Sequence, residues 1–287
     1  MSLRRFFHNL KYLFEYDIKK VDMLEKSLLH RLQYLEYKYR QEPAGSLDKP
    51  LMHSVQETMR ELQNSERSLV RYGEGELRLI EGEGLFFQKP SKELSARLAE
   101  ILHSDDERVM LAVPGELWYS CSEMPEREWN WWFTRRSMFR LIAEAHLREG
   151  KRYYETAITY PSYGMDFYEE WRRVWQDKDI AVICGKKVFS ALENNIFDNA
   201  RSVEYLHVPT KHAFSSYAEI YRRACGIAPH KLILVIAGPT ATVLAYDLAV
   251  KAGRRCLDVG HLAKSYDVLK RELPENHRLM VNFWGSE

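Results

Sequence analysis

Short apolar, β-rich runs alternate with helical stretches along the C-terminal half of the chain, and this alternation most restricts the possible folds. Buried strands are predicted at 180–184, 203–208, 232–237 and 256–259, and helices at about 190–200, 215–225 and 240–252. Continuous apolar strands separated by helices indicate a parallel sheet with helices on both faces. The predicted fold class is therefore α/β, with a mostly parallel Rossmann-like sheet.

The preceding part of the chain extends the same pattern. A helix is predicted at 55–62, followed by a strand at 68–72 that runs into a glycine turn and a helix from about Glu76. A strand at 109–113 ends at Pro114-Gly115. Beyond it we predict an aromatic helical segment at 126–150, a strand at 156–160 and a helix at 167–175. Residues 51–287 are thus predicted to form one α/β domain.

Residues 1–45 are predicted to form a separate amphipathic helical extension. Apolar side chains recur at every seventh position, namely Phe7, Phe14, Val21, Leu28 and Leu35. The breaker Glu42-Pro43-Ala44-Gly45-Ser46 ends this pattern. Such a helix could pack on its own domain, join two copies into a homodimer, or lie on a membrane surface. Basic residues among its aromatic ones, at Arg4, Arg5 and Lys11, suit an anionic bilayer.

The charge balance and the cysteines restrict the possible binding partners and the cellular compartment of the protein. The 42 Lys and Arg residues nearly balance the 41 Asp and Glu residues, which argues against binding nucleic acid through bulk charge. The four cysteines, Cys121, Cys184, Cys225 and Cys256, form no C-x-x-C pair and predict buried, reduced thiols. The sequence shows no signal-peptide pattern, and no apolar run is long enough to cross a bilayer. We expect a cytoplasmic protein, with peripheral contact at the inner face of the plasma membrane as an open alternative.

Polar or glycine-containing loops follow five of the predicted strands. In an open parallel sheet, ligands bind beyond the carboxyl ends of the strands. The five loops are Gly73-Glu74-Gly75-Glu76, Gly185-Lys186-Lys187, the segment 209–214, Gly238-Pro239-Thr240 and Gly260-His261. We therefore expect a binding cleft where these loops meet.

Of the five loops, the one that begins at Gly73 gives the most specific indication of a chemical role. In an extended segment, alternation would put the carboxylates of Glu74 and Glu76 on one side, where they could hold Mg²⁺ or Mn²⁺ with a diphosphate. Equally, the two acids could be solvated or could complement a helix dipole. Gly238-Pro239-Thr240 opens a helix whose backbone N–H groups would favour a phosphate, although a simple turn fits as well. His261 could be a general base, a nucleotide contact or a helix-start residue.

Several common catalytic motifs do not occur in the sequence. It contains no G-x-x-x-x-G-K-[ST] phosphate loop and no G-x-S-x-G nucleophile elbow. The glycine loop continues with Leu77 and Arg78 where a dinucleotide-binding loop would have further glycines. This weakens the dehydrogenase and methyltransferase hypotheses.

Five motifs in chain order resemble the GT-D fold glycosyltransferases, a bacterial family first catalogued as a domain of unknown function. The family's Arg-Tyr-Gly-Asp-Gly-Glu stretch is similar to residues 71–76, and its later motifs are similar to 196–200, 209–214, 238–248 and 258–261. The resemblance extends from about residue 52 to 272. Two departures stand out: Glu74 replaces the family's Asp, and His212 replaces an Asn.

The resemblance implies a hexosyltransferase-like enzyme that moves a sugar from a nucleotide-sugar donor, typically a UDP-sugar, to a glycan, glycolipid or glycoprotein acceptor. The expected setting is synthesis of bacterial surface polysaccharide or glycoprotein. The resemblance also implies a divalent metal, Mn²⁺ or Mg²⁺, at Glu74 and Glu76. If the reaction inverts, a base must deprotonate the acceptor, and Glu76 and His261 are the candidates. The expected nucleotide-sugar contacts are Arg71, Gly73, Lys187, Asn194, His212, Phe214, Gly238, Pro239, Thr240 and Asp258.

Two other functions remain open at this point. The N-terminal helix and the departure at Glu74 are compatible with a non-catalytic assembly subunit of a glycan-synthesis complex. The hypothesis of a Rossmann-like methyltransferase is supported only by the glycine loop that follows a strand. The aromatic segment at 118–133 could stack on an acceptor sugar or serve as core packing.

Overall fold

The computed structural model describes residues 51–118, 142–143, 145–148, 150–159, 164–190 and 192–272. Its strands and α-helices belong to one compact unit, formed by Lys49–Gly115 and Ile142–Glu287. The predicted N-terminal extension and most of the aromatic segment at 126–150 lie outside the described residues, so these stay predictions.

In the described residues, eight strands form a single sheet. They are β1 (Leu51–Met52), β2 (Ser68–Arg71), β3 (Val109–Val113), β4 (Arg152–Glu155), β5 (Asp179–Gly185), β6 (Ser202–Val208), β7 (Leu232–Ile236) and β8 (Cys256–Asp258). Their order across the sheet is β1-β4-β3-β2-β8-β7-β5-β6, and each neighbouring pair is parallel. The predicted α/β class with a mostly parallel sheet is confirmed.

Helices connect the strands, and their ends carry recognisable signals. They are α1 (Val55–Asn64), α2 (Glu74–Ile80), α3 (Lys92–Leu102), α4 (Met165–Trp175), α5 (Tyr217–Cys225), α6 (Pro239–Ala252) and α7 (Leu262–Lys270). A capping box between Ser54 and Glu57 starts α1. Proline opens α6, and the left-handed Gly253 ends it. Short 3₁₀ turns lie at Gly115–Trp118, Thr156–Thr159 and Ala213–Ser216.

The core lies around the central strands, which are buried along most of their length, whereas β6 at the edge of the sheet is largely exposed. The expectation that 203–208 is a buried strand is therefore wrong about burial, because this strand has a neighbour on one side only. Indole and phenyl rings of Trp171, Trp175 and Phe197 fill the layer between the sheet and α4.

The strand predicted at 156–160 is wrong, because β4 lies earlier and Thr156–Thr159 forms a 3₁₀ turn. Register with β3 pairs Val113 with Glu155, and both strands end there. The Glu155 carboxylate then accepts a hydrogen bond of 3.1 Å from the N–H of Ala157, which favours a turn of the chain. Threonine and isoleucine in this segment suggested a strand, but pairing with β3 determines where β4 ends.

The helix predicted at 190–200 is also wrong, because the described residues there form turns and bends. The Asp267 carboxylate accepts hydrogen bonds from the backbone N–H groups of Glu193 and Asn194, at 3.1 and 2.8 Å. The side chain of Asn195 accepts one from the N–H of Phe197 at 3.0 Å. These side chains take the place of helical carbonyls as partners of the backbone.

The cysteine expectation holds in part for the three described cysteines, and Cys121 lies outside the described residues. Cys184 and Cys256 are buried and free, as predicted, whereas Cys225 is free but exposed because it lies at the end of the surface helix α5. Among the described residues, no helix is long and apolar enough to cross a membrane.

Candidate functional site

The strand order reverses at the centre of the sheet, between β2 and β8. From β2 the chain adds β3 and β4 on one side, and from β5 it returns through β7 to β8 on the other. The carboxyl ends of β2 and β8 are therefore neighbours at the switch point, where open α/β sheets bind their ligands. Arg71 ends β2 and Asp258 ends β8.

Arg71 and Asp258 form a buried pair at this point. Arg71 is 8% exposed and Asp258 is 2% exposed, and Nε of Arg71 lies 3.9 Å from Oδ1 of Asp258. The Thr242 hydroxyl of α6 donates to the carbonyl oxygen of Arg71 at 3.1 Å and lies 3.5 Å from Oδ2 of Asp258. The N–H of Gly260 donates to Oδ1 of Asp258 at 3.1 Å. β2, β8 and α6 thus meet at Arg71 and Asp258.

Burial raises the pKa of Asp258 to about 7, and the negative charge of Glu76 adds to the rise while Arg71 opposes it. A pKa near neutrality would suit a general base. However, Oδ1 of this carboxylate already accepts a hydrogen bond from the N–H of Gly260 and faces the Arg71 guanidinium. The arrangement therefore favours a positioning role, in which Asp258 holds the Arg71 guanidinium.

Gly260 packs directly against Arg71. Its φ is +49°, and a Cβ placed on it would lie 2.6 Å from Nη2 and 2.7 Å from Cζ of Arg71. We expect Gly260→Ala to displace the guanidinium in addition to the left-handed backbone strain of roughly 1–2 kcal/mol. The variant should show a lower free energy of unfolding in urea and should lose binding of anionic ligands at this site.

Gly253 provides the matched control for that variant. Its φ is +61°, and a Cβ there would have no neighbour within 4 Å. Gly253→Ala should therefore show the backbone strain alone, with ligand binding unchanged. If both variants bound ligand as the native protein does, close packing on Arg71 would not matter for the site.

The segment Glu74-Gly75-Glu76 is helical rather than extended, so the argument that alternation puts both acids on one side is wrong. Gly73 caps α2, and its N–H donates to Oε2 of Glu76 at 2.7 Å. Positions two residues apart on a helix differ by roughly 200° around the axis. Glu76 is accordingly buried, while Glu74 is partly exposed and lies 3.4 Å from Arg78. The metal role of the two acids stays a prediction, and the described residues contain no group of three or more potential metal ligands.

The beginning of α6 lies next to the beginning of α2. A Cβ placed on Gly75 would lie 3.9 Å from Cγ of Pro239 and 3.0 Å from Leu85. Gly238 has a φ of +55°, which lets the chain turn sharply from β7 into α6. Thr240 in the first turn is fully buried, and its hydroxyl has no hydrogen-bond partner within the part of the chain that the structure describes. The predicted Gly238-Pro239-Thr240 loop thus lies near the Arg71 centre.

His261 caps α7 directly beyond β8. Its side chain is exposed to solvent. Desolvation lowers the pKa of His261, and the charges of Arg71 and Lys264 lower it further. The imidazole is therefore neutral near pH 7 and can accept a proton there.

Four other predicted contact residues follow β5 and β6, which lie two and three strands away from β8. Lys187 is exposed, and the amide of Asn194 donates to Asp267 at 2.9 Å. Phe214 stacks on Tyr217, with ring centroids 5.2 Å apart. These contacts join Asn194 and Phe214 to neighbouring helices rather than to Arg71. The roles of all four residues in ligand binding stay predictions.

His212, the last of these four residues, makes hydrogen bonds at and next to the turn formed by residues 85–88. Its N–H donates to the carbonyl of Phe87 at 2.7 Å, and its Nδ1 accepts from the N–H of Lys89 at 3.0 Å. The backbone of His212 is left-handed, with φ +54°. Asparagine adopts this conformation more readily than most residues. The Asn that the resembling family has at this position therefore fits a backbone role.

Two residues near the centre, Thr242 and Lys264, were not identified from the sequence, and Gly260 was identified only as part of a strand-end loop. Thr242 and Gly260 act through close packing between β2, β8 and α6, which no local pattern encodes. Lys264 carries a usable signal, because it follows His261 by three residues and so shares a helix face with it.

Comparison with known proteins shows the family of this chain. The family model described as "Glycosyltransferase GT-D fold" matches residues 69–284. The chain is 31% identical over 232 residues to a probable glycosyl transferase Gly of Streptococcus gordonii, covering 75% of this chain and 32% of that protein. It is 26% identical over 250 residues to glycosyltransferase GlyD of Streptococcus pneumoniae serotype 4, covering 78% and 29%. The chain thus spans about a third of the length of these curated relatives.

Solved structures show the same fold. A glycosyltransferase from Streptococcus sanguinis, of domain of unknown function 1792, has a TM-score of 0.72 and 29% identity, covering 78% of this chain and 86% of that one. A second structure, described as showing that domain of unknown function 1792 has a distinct glycosyltransferase fold, has a TM-score of 0.71 and 25% identity, with 85% of each chain covered.

Proposed function

The chain belongs to the GT-D fold glycosyltransferase family, and on that premise we propose that it transfers a sugar from a UDP-sugar donor to a hydroxyl of a glycan, glycolipid or glycoprotein. The observation that carries the proposal is the buried Arg71, held by Asp258 and packed on Gly260 where the strand order reverses. The proposed setting is bacterial surface polysaccharide or glycoprotein synthesis in the cytoplasm. Homodimer formation and membrane contact through residues 1–45 stay predictions.

The donor's diphosphate would bind at Arg71 and at the beginning of α6. A guanidinium offers several N–H donors to phosphate oxygens, and a hydrogen bond between charged groups is roughly twice as strong as a neutral one. The first turn of α6 adds backbone N–H groups and the positive end of its dipole. Because Asp258 and Gly260 hold the guanidinium in advance, little ordering would be needed when the donor binds.

We propose that Glu76, rather than Glu74, would hold a divalent ion, Mn²⁺ or Mg²⁺, together with the donor's phosphate oxygens. Such ions commonly use one or two carboxylates plus substrate phosphates. The Gly73 N–H engages Oε2 of Glu76, so Oε1 of this buried carboxylate is the oxygen that could meet the cation, while Glu74 pairs with Arg78. When bound, the ion would neutralise charge on the departing diphosphate.

His261 is the proposed acceptor-side base. Its side chain is exposed, and it is neutral near pH 7 because desolvation and the neighbouring charges of Arg71 and Lys264 lower its pKa. A neutral imidazole within reach of an acceptor hydroxyl could take up its proton as the glycosidic bond forms. Arg71 would meanwhile hold the phosphate oxygens on the donor side.

Ligand-dependent thermal stabilisation tests the proposal directly. We expect UDP with Mn²⁺ to raise the melting temperature by several degrees at saturating concentration, since ligand at 100 times its Kd adds about 2.7 kcal/mol to stability. In a panel of UDP- and dTDP-sugars, one donor should be slowly hydrolysed. Arg71→Ala should abolish both responses, because the diphosphate loses its principal cation.

Arg78→Ala is the matched control, since Arg78 pairs with Glu74 and Glu83 on the surface of α2. It should respond to UDP as the native protein does. Absence of any response to nucleotides in the native protein would overturn the proposal. Binding of S-adenosylmethionine without UDP would instead support the methyltransferase hypothesis.

A further inference from the structure

The side chain of one threonine of α6 lies at the centre of the candidate site. Thr242 is the fourth residue of α6 and is fully buried. Its hydroxyl donates to the carbonyl oxygen of Arg71 at 3.1 Å and lies 3.5 Å from Oδ2 of Asp258. One side chain of α6 therefore contacts the last residue of β2 and the last residue of β8.

The hydrogen bond of Thr242 is not the one that a threonine within a helix usually makes. Such a hydroxyl can donate to the carbonyl of its own helix one turn earlier. The Thr242 hydroxyl instead donates to β2, 171 residues away along the chain. Valine would fill nearly the same volume without the free-energy cost of burying a hydroxyl. Packing alone therefore does not account for a threonine at this position.

The acceptor of this hydrogen bond lies where β2 ends on its β8 side. The two strands pair at Leu69 and Leu257, so Arg71 lies two residues beyond that pairing. Gly73, two residues later, is already the cap of α2. The Thr242 hydroxyl thus fixes the backbone of Arg71 at the point from which the guanidinium extends towards Gly260.

The two elements of the proposed diphosphate site come from different parts of the chain. Arg71 ends β2, whereas the backbone N–H groups of the other element belong to the first turn of α6. Both elements can bind one diphosphate only if their separation is fixed, and a shift of about 1 Å can weaken such a site greatly. Thr242 belongs to α6 and contacts Arg71, so its hydroxyl links the two elements directly.

We propose that Thr242 is a positioning residue for the nucleotide-sugar donor. Its hydroxyl holds α6 against the backbone of Arg71, so that the guanidinium and the first turn of α6 bind the same diphosphate. Because Thr242 is fully buried, it acts through these two elements and does not itself contact the ligand. This inference rests on the proposed function and adds a residue that determines the affinity of the site for the diphosphate.

Isothermal titration calorimetry of the full chain with UDP and Mn²⁺ tests the proposal, and uridine serves as the probe that lacks phosphate. We expect Thr242→Val to weaken UDP binding by about three- to ten-fold, which is the effect of losing one hydrogen bond. Binding of uridine should be unchanged. Thr242→Ser should retain most of the UDP affinity, because serine keeps the hydroxyl.

Thr159→Val is the matched control. Thr159 is also buried, and its hydroxyl donates to the carbonyl of Thr156 at 3.1 Å in the 3₁₀ turn after β4. Both valine variants lose one buried hydrogen bond to a carbonyl, so both should lower the melting temperature of the ligand-free protein by a few degrees. Only Thr242→Val should lower the UDP affinity, whereas a purely structural threonine would leave that affinity unchanged.

The outcomes separate this inference from the proposed function. If the native chain bound no UDP, the proposed function would fail and the inference with it. If the native chain bound UDP and Thr242→Val bound it equally well, the role of Thr242 would be overturned while the function stood. Equal losses for UDP and uridine would also overturn it, because they would indicate a general disturbance of packing. Should Thr242→Val fold poorly, Thr242→Ala with inorganic pyrophosphate as the probe provides the same comparison, and native affinity for pyrophosphate would overturn the proposal.

Discussion

Replacing Glu76 with glutamine is expected to lower the rate of sugar transfer by roughly 10²- to 10³-fold while leaving the fold intact. The amide oxygen of glutamine can still accept the N–H of Gly73, so the cap of α2 is retained. What the variant loses is the buried negative charge beside the proposed diphosphate site. Steady-state kinetics with the donor found in the UDP-sugar panel, together with circular dichroism, would measure both effects.

Glu74→Gln is the control for that variant. Glu74 pairs with Arg78 on the partly exposed side of α2, and such a pair contributes little to stability. Transfer by Glu74→Gln should therefore remain close to the native rate. A larger loss for Glu74→Gln than for Glu76→Gln would show that the wrong acid has been assigned. Glu76→Ala is less informative, because it removes the charge and the cap together.

The second large effect is a pH-dependent stability that originates in Asp258. Its pKa rises from an ordinary 3.8 to about 7 in the folded protein, so between these values the folded state holds a proton that the unfolded state releases. The stability from Asp258 is therefore fully present below pH 3.8 and is lost as the pH rises through 7. The difference amounts to at most roughly 4 kcal/mol, at about 1.4 kcal/mol per pKa unit. Asp258→Asn should abolish this decline in urea unfolding measured from pH 4 to 8.

His261 acts with the opposite sign. Its folded pKa is lowered, so its contribution to stability is present above pH 6.5 and is lost as the pH falls through the lowered value. The two contributions partly cancel in the native protein. Measurements in a His261→Gln background therefore isolate Asp258 and should show the steeper decline. An identical pH profile for that variant with and without Asp258→Asn would contradict the assignment.

The strands near the centre of the sheet could be predicted from the sequence because burial on both faces makes them continuous apolar runs. The predicted 109–113 coincides with β3, and the predicted 180–184 falls within β5. Where contacts with residues distant in sequence determine the backbone conformation, the local sequence pattern did not predict that conformation. Asp267 holds the segment near Asn194 out of a helix from more than 70 residues away. The helix α3 was missed, and a helix start at His261, where α7 begins, was only one of three alternatives.

The candidate site, like the fold, could be predicted from the sequence only in part. Arg71, Asp258 and His261 could be selected because parallel strands bring their carboxyl ends to one edge, and they do lie together. The relation between Glu74 and Glu76 could not be predicted, because it depends on whether α2 begins at Glu74 or at Glu76. The close approach of Gly260 to Arg71 depends on how β2 and β8 pack, which only three-dimensional structure shows.

The position of β8 has a consequence for biosynthesis. Along the chain, β2 to β4 and β5 to β7 precede it, and in the sheet of the described residues β8 lies between these two groups and pairs with β2 and β7. While the polypeptide emerges from the ribosome, the edges of β2 and β7 therefore remain open, and open edges invite aggregation. Insertion of Cys256–Asp258 closes both edges and delivers Asp258 to Arg71 in the same event. The step that completes the Arg71–Asp258 pair thus also removes two open strand edges.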